Sequence, residues 1–228
     1  MAVWAGVGGL FLLVAGLAAV RALHLAAGAR RASRLAYFDD CKTLLCDVRT
    51  GRSADGFARL NGRVGGQLID LQVVPDLLNF RKLPSLWLMV TLPLPQPVRG
   101  TTDFMMRPTG SEIFSRFGTL PIALSTPAGF PADPAVRTDD PAAAPDETVL
   151  DVVRAAFFSP KVKEVLISPR GLRIVWLAEE ADRSRYLIFR DAELGRQPLS
   201  PGVLQPLLDH LLAIADAVAA APEKEKAA

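Results

Sequence analysis

The sequence predicts an α+β protein, in which a single N-terminal transmembrane helix precedes a soluble domain of antiparallel β-sheet with packed helices. Three observations predict it. Residues 2–20 carry no charge. Beyond them, short runs of alternating apolar and polar residues are separated by glycine and proline turns. Two capped amphipathic segments then flank the later strands.

Nineteen uncharged residues rise about 28 Å as a helix, close to the apolar thickness of a bilayer. The span extends through 29 if Arg21 sends its guanidinium to the headgroups along its aliphatic stem. Trp4 sits where an interfacial aromatic anchor belongs. Arg21, Arg30, Arg31 and Arg34 follow the span and no basic side chain precedes it. The positive-inside rule then puts the N-terminus outside and the remainder in the cytoplasm. The alternative is a cleaved signal peptide with Ala27-Gly28-Ala29 as its site, followed by export. A signal peptide has a basic leading region and a shorter apolar core, so the anchor is preferred.

The boundaries expected are an anchor over 1–29, a basic juxtamembrane segment over 30–36 and a β-rich stretch over 37–120. A proline-rich seam follows over 121–146, then a helix, meander and helix over 147–219 and a disordered tail over 220–228. The soluble part forms one unit, or two lobes divided at the seam.

A helix is expected from Asp39 to Arg49, with Cys41 and Leu45 inward and Gly51 as its stop. Residues 57–74 read as a hairpin turning at Gly65-Gly66. The lead-in FRKLP (80–84) opens a strand over 85–92 that is apolar on both parities, so it belongs in mid-sheet. Prolines 93, 95 and 97 end it. Alternation resumes over 101–107, one or two helical turns fall near 111–117, and a short strand interrupts the seam at 135–138. Asp146 caps a helix over 147–158. Three strands are expected at 164–168, 172–178 and 185–191, as an antiparallel meander. Ser200 caps a last helix with Pro201 in its first turn.

Charge and motifs exclude several classes. Four of the 26 bases precede Phe38 whereas all 24 acids follow it, so the soluble part carries two more acids than bases and has no nucleic-acid footprint. Cys41 and Cys46 make no disulfide framework, and with His24 and His210 as the sole histidines no zinc signature forms. No nucleophile elbow, zincin, phosphate-loop or dinucleotide motif is present. No catalytic, cofactor or metal residue is therefore assigned, and an enzyme is disfavoured. Heavy use of alanine, arginine and proline suggests a bacterium with a GC-rich genome.

The function expected is a single-pass protein of the bacterial inner membrane, holding an interaction or assembly domain at the cytoplasmic face. Its partners are the bilayer, through residues 2–29, and a protein of unknown identity. The alternatives are a small-molecule or lipid-binding module, which a large apolar pocket would favour, and a hydrolase, which convergent acids would favour. Arg173, Trp176, Arg183, Arg185, Tyr186 and Arg190 form the candidate interaction surface, because arginine and aromatics are favoured at interfaces.

Overall fold

A computed structural model describes residues 2–77, 83–131 and 134–221, without the side chains of 2–12 and 189. The expected tail beyond 221 and most of the FRKLP lead-in lie outside the described residues. The chain forms helix α1 (Ala2–Leu35), a 3-10 turn (Asp39–Leu44) and strands β1 (Cys46–Arg52), β2 (Ala58–Val64), β3 (Gln67–Asp76), β4 (Ser85–Leu92) and β5 (Thr102–Met106). A further 3-10 turn (Phe117–Thr119) leads to β6 (Ile122–Leu124) and β7 (Pro134–Thr138). Helix α2 (Glu147–Ala156), strands β8 (Val162–Ser168) and β9 (Gly171–Glu180), and helices α3 (Arg183–Phe189) and α4 (Pro201–Ala220) complete it.

All the strands join one sheet in the order β1-β2-β3-β4-β9-β8-β5-β7-β6, with every pairing antiparallel. The β2–β3 turn uses Gly65 and Gly66 at φ 57° and 83°, the positive angles a two-residue hairpin turn requires. Strand β9 enters between β4 and β8, so the 37–120 and 147–219 stretches share a sheet. The proline-rich seam contributes β6 and β7 to its far edge.

One face of the sheet carries the main core. Leu60, Leu71, Leu88, Phe104, Ile167 and Ile174 lie in one cluster with Val153 of α2 and Leu208 and Leu211 of α4. Asp146 caps α2 by accepting the Val149 N–H at 3.0 Å. Helix α4 is long and apolar enough to cross a membrane, but Leu204, Leu207, Leu208, Leu211, Ile214 and Val218 are buried in the domain, so it is a core helix. The opposite face is covered over β4, β9 and β5, where Phe114 and Phe117 pack with Met105 and Val175. Thus β4 is covered on both faces, with Trp87 and Phe114 ring centroids 5.0 Å apart on the second.

Two expected elements are corrected. Residues 185–191 lie in and just after α3, not in a third meander strand. Both edges of β9 are already taken by β4 and β8, so a strand there would have no ladder to join. Asp182 instead caps a helix by accepting the Arg185 N–H at 2.7 Å, and Arg190 ends it at φ 55°. The helix expected from Asp39 to Arg49 ends as a 3-10 turn at Leu44. Leu45 is extended and Cys46–Arg52 pairs along β2, with an irregularity between Cys46 and Arg49 and Asp47 at φ 51°. Ladder bonds to β2 outweigh the amphipathic spacing there, and Gly51 sits within the strand opposite Arg59. One turn lies within the expected 111–117 stretch, where the Ser115 N–H bonds the Glu112 carbonyl at 3.3 Å, and the regular 3-10 segment follows at Phe117–Thr119.

Candidate functional site

Helix α1 stands apart from the domain for most of its length. Every side chain from Leu13 to Ala29 is exposed, and contact with the domain begins at Arg30. Arg30 Nη1 lies 3.4 Å from Asp191 Oδ2, both side chains being about two-fifths exposed, so the pair contributes little. Arg34 places its guanidinium 5.0 Å from the centre of the Phe57 ring. Tyr37 is buried against Phe38 and Phe57, and its carbonyl accepts the Leu199 N–H at 2.7 Å. A Cβ on Gly195 would come within 2.3 Å of the Phe57 ring, so glycine is required where the 190–199 loop crosses it. These contacts bind the end of α1 firmly to the sheet. Arg21 and Arg31 are exposed, and the Trp4 side chain lies outside the described ones.

The six candidate interaction residues do not share one surface. Trp176 is buried in the main core, with Lys161 Nζ 4.9 Å from its ring centre. Arg173 points to the opposite face of the sheet and pairs with Glu164. Arg183, Arg185, Tyr186 and Arg190 fall together on α3, with Arg190 stacked 5.7 Å from the Tyr186 ring.

Beneath the 107–119 segment lies a polar cluster that sequence reasoning missed. Asp103 and Glu164 are both fully buried, on neighbouring strands β5 and β8. Arg173 of β9 donates to Glu164 Oε2 from Nε at 3.0 Å and from Nη2 at 2.9 Å. The Ser115 hydroxyl donates to Glu164, lies 3.5 Å from Asp103 Oδ2 and accepts the Phe117 N–H at 3.0 Å. One guanidinium faces two buried carboxyls, which disfavours ionisation of both at once. Burial first, and the adjacent Glu164 charge second, push the Asp103 carboxyl well above the usual carboxylate range. The available sign was an acid inside a five-residue strand that is buried throughout, which alternation alone does not reveal.

This arrangement fixes a pH dependence. With its pKa raised by the fold, Asp103 keeps its proton to higher pH in the folded chain than in the unfolded one. Its stabilisation is therefore present below the ordinary aspartate pKa and is lost as pH rises toward the raised value. Glu179, raised by its own burial against an opposing bond from the Gly195 N–H, acts in the same sense. One such group gives a slope of up to about 1.4 kcal/mol per pH unit. Asp103→Asn keeps a donor toward Glu164 without a titrating proton. Its unfolding midpoint should fall less than the parent's between weakly acid and neutral pH, as read by denaturant titration; parallel slopes would contradict the protonated Asp103.

An open cleft of about 330 Å³ adjoins the cluster, between the Ser85 end of β4 and the 107–114 segment. Lys163 donates to the carbonyls of Met106 and Arg107 at 2.6 and 2.8 Å and lies 3.4 Å from Glu112. Burial alone would raise Glu112, but bonds from the Thr109 N–H and hydroxyl, with the Lys163 charge, hold it below the usual range. These groups brace the loop against the sheet. The convergent acids themselves are sealed from solvent, which suits a structural role better than attack on a substrate. Among the described residues no group of three or more His, Cys, Asp or Glu is placed to hold a metal. Comparison with protein families, curated proteins and solved structures returns no match.

Proposed function

We propose that this chain is a single-pass membrane protein that holds its α+β domain at the cytoplasmic face as an interaction or assembly module. The observation that carries the reading is α1, which runs 34 residues, exposes every side chain from Leu13 to Ala29 and meets the domain at its last turns. A helix apolar all round and unpacked against protein requires lipid or another helix to cover it. The arginines at its domain end favour the cytoplasmic orientation. The firm junction at Arg34 and Tyr37 then holds the domain close to the bilayer. Arg185, Tyr186 and Arg190, in and just after α3, supply the mixed aromatic and basic surface that a partner would meet.

The two thiols test topology. Cys46 is exposed, whereas Cys41 is buried, donates toward the Leu199 carbonyl at 3.1 Å, and has its pKa pushed up to about 12, chiefly by burial. A membrane-impermeant maleimide should label neither in intact cells. After lysis it should label Cys46 alone, and after denaturation both. Labelling of Cys46 in intact cells, or a mature N-terminus at Arg30, would overturn the anchored cytoplasmic reading.

A further inference from the structure

The end of the sheet from which α1 leaves differs from the other end. Antiparallel register identifies what lies there. Arg52 pairs with Ala58 at the start of β2, beside Phe57 and the end of α1. Asp76 at the end of β3 pairs with Ser85, and Ser85 with Glu180 at the end of β9. Helix α3 therefore projects from this end, and so does the α2–β8 connection that precedes Val162. Leu187 and Ile188 of α3 are 56% and 72% exposed, and Phe158 of that connection is 72% exposed.

Charge at this end is mixed. Asp191 is paired with Arg30 and Glu193 with Arg185 and Arg196, Asp182 and Asp55 bond backbone N–H groups, and Glu180 is exposed. Arg31, Arg52 and Arg183 make no ion pair among the described residues and are exposed. Arg31 and Arg52 line a hollow against α1 together with Arg30, Arg34 and one acid, Asp55.

We propose that this end is a lipid-contacting face, on which Phe158, Leu187 and Ile188 enter the headgroup boundary while Arg31, Arg52 and Arg183 bind anionic headgroups. The inference rests on the anchored reading of α1, and names lipid as a partner of the domain itself. A bilayer holding α1 necessarily lies on this side of the domain. The nine residues from Arg21 to Arg30 rise roughly 14 Å. Arg21 snorkels upward from a Cα below the headgroups, and helix tilt shortens the rest, so the base of the domain reaches the headgroup layer. Exposed apolar side chains beside free arginines are the pairing used by interfacial helices on anionic membranes. A protein partner on the same residues is the competing occupant, and the experiment separates the two.

The test uses the full chain with Cys46→Ser, reconstituted in vesicles of phosphatidylcholine with or without phosphatidylglycerol. An environment-sensitive dye is attached at Ile188→Cys, or at Arg170→Cys in the β8–β9 turn at the far end. In anionic vesicles the dye at 188 should shift to the blue and be quenched at least threefold more by headgroup-region spin-labelled lipid than the dye at 170. Omitting phosphatidylglycerol, or reversing Arg31, Arg52 and Arg183 to glutamate, should remove most of that difference while the protein resists alkaline extraction. Equal quenching at 188 and 170 in an extraction-resistant protein would overturn the lipid face and leave the anchor standing. A dye at 188 that is shielded but not quenched by lipid would assign the face to a second protein copy and overturn the proposal. A protein that alkali extracts would overturn the anchor as well.

Discussion

Arg173→Met should destabilise the domain by about 3–5 kcal/mol, because it leaves the buried Glu164 carboxylate without its cation. For a domain of this size that corresponds to a fall in melting temperature on the order of 10 °C. The effect arises from the pairing rather than from lost volume, since methionine fills much of the space of the arginine stem. Adding Glu164→Gln to Arg173→Met should therefore recover much of the loss, which a double-mutant cycle by calorimetry in detergent would read. A single-variant loss below about 1 kcal/mol would show that water already screens Glu164.

Gly171→Ala should cost about 3 kcal/mol. Gly171 opens β9 at φ 146°, and a Cβ there would lie 2.2 Å from the Leu92 carbonyl oxygen and 3.2 Å from Pro93 Cα. Both neighbours are backbone atoms, and Leu92 is held by its pairing with Leu172 at the end of the β4–β9 ladder, so neither yields cheaply. Ser168 bonds the Gly171 carbonyl across the same turn at 2.9 Å, and displacement would disturb that as well. Gly66→Ala is the control. Its φ is also positive, but nothing lies within 4 Å of the added Cβ, so it loses only the backbone term of roughly 1 kcal/mol. Equal unfolding midpoints for the two variants would rule out the close approach at Leu92.

Elements whose signal is local were readable before the fold was known. Asp146 and Ser200 sit directly before apolar stripes, and both cap α2 and α4 through side-chain oxygens. The Gly65-Gly66 turn and the doubly apolar β4 were equally plain. Residues 185–191 show where local reading fails. Their composition suits a strand, but whether a segment becomes one depends on a free sheet edge, and β9 offers none. The 39–49 segment fails the other way, since its helical spacing yields to pairing with β2.

By itself the sequence determined the apolar N-terminal helix, the antiparallel α+β class, the turn and cap positions, and the arginines at the end of α1. Each depends on residues within a turn or two of one another, where spacing and backbone preference act directly. Only the tertiary structure decided the order of the strands, the insertion of β9 between β4 and β8, and the meeting of Asp103, Ser115, Glu164 and Arg173 from three strands and a loop. Tertiary structure also brought α3, Phe158 and the base of α1 to one end. Such contacts form between segments far apart in the chain, where each side chain's partner is chosen by register and burial and leaves no periodic trace in either segment.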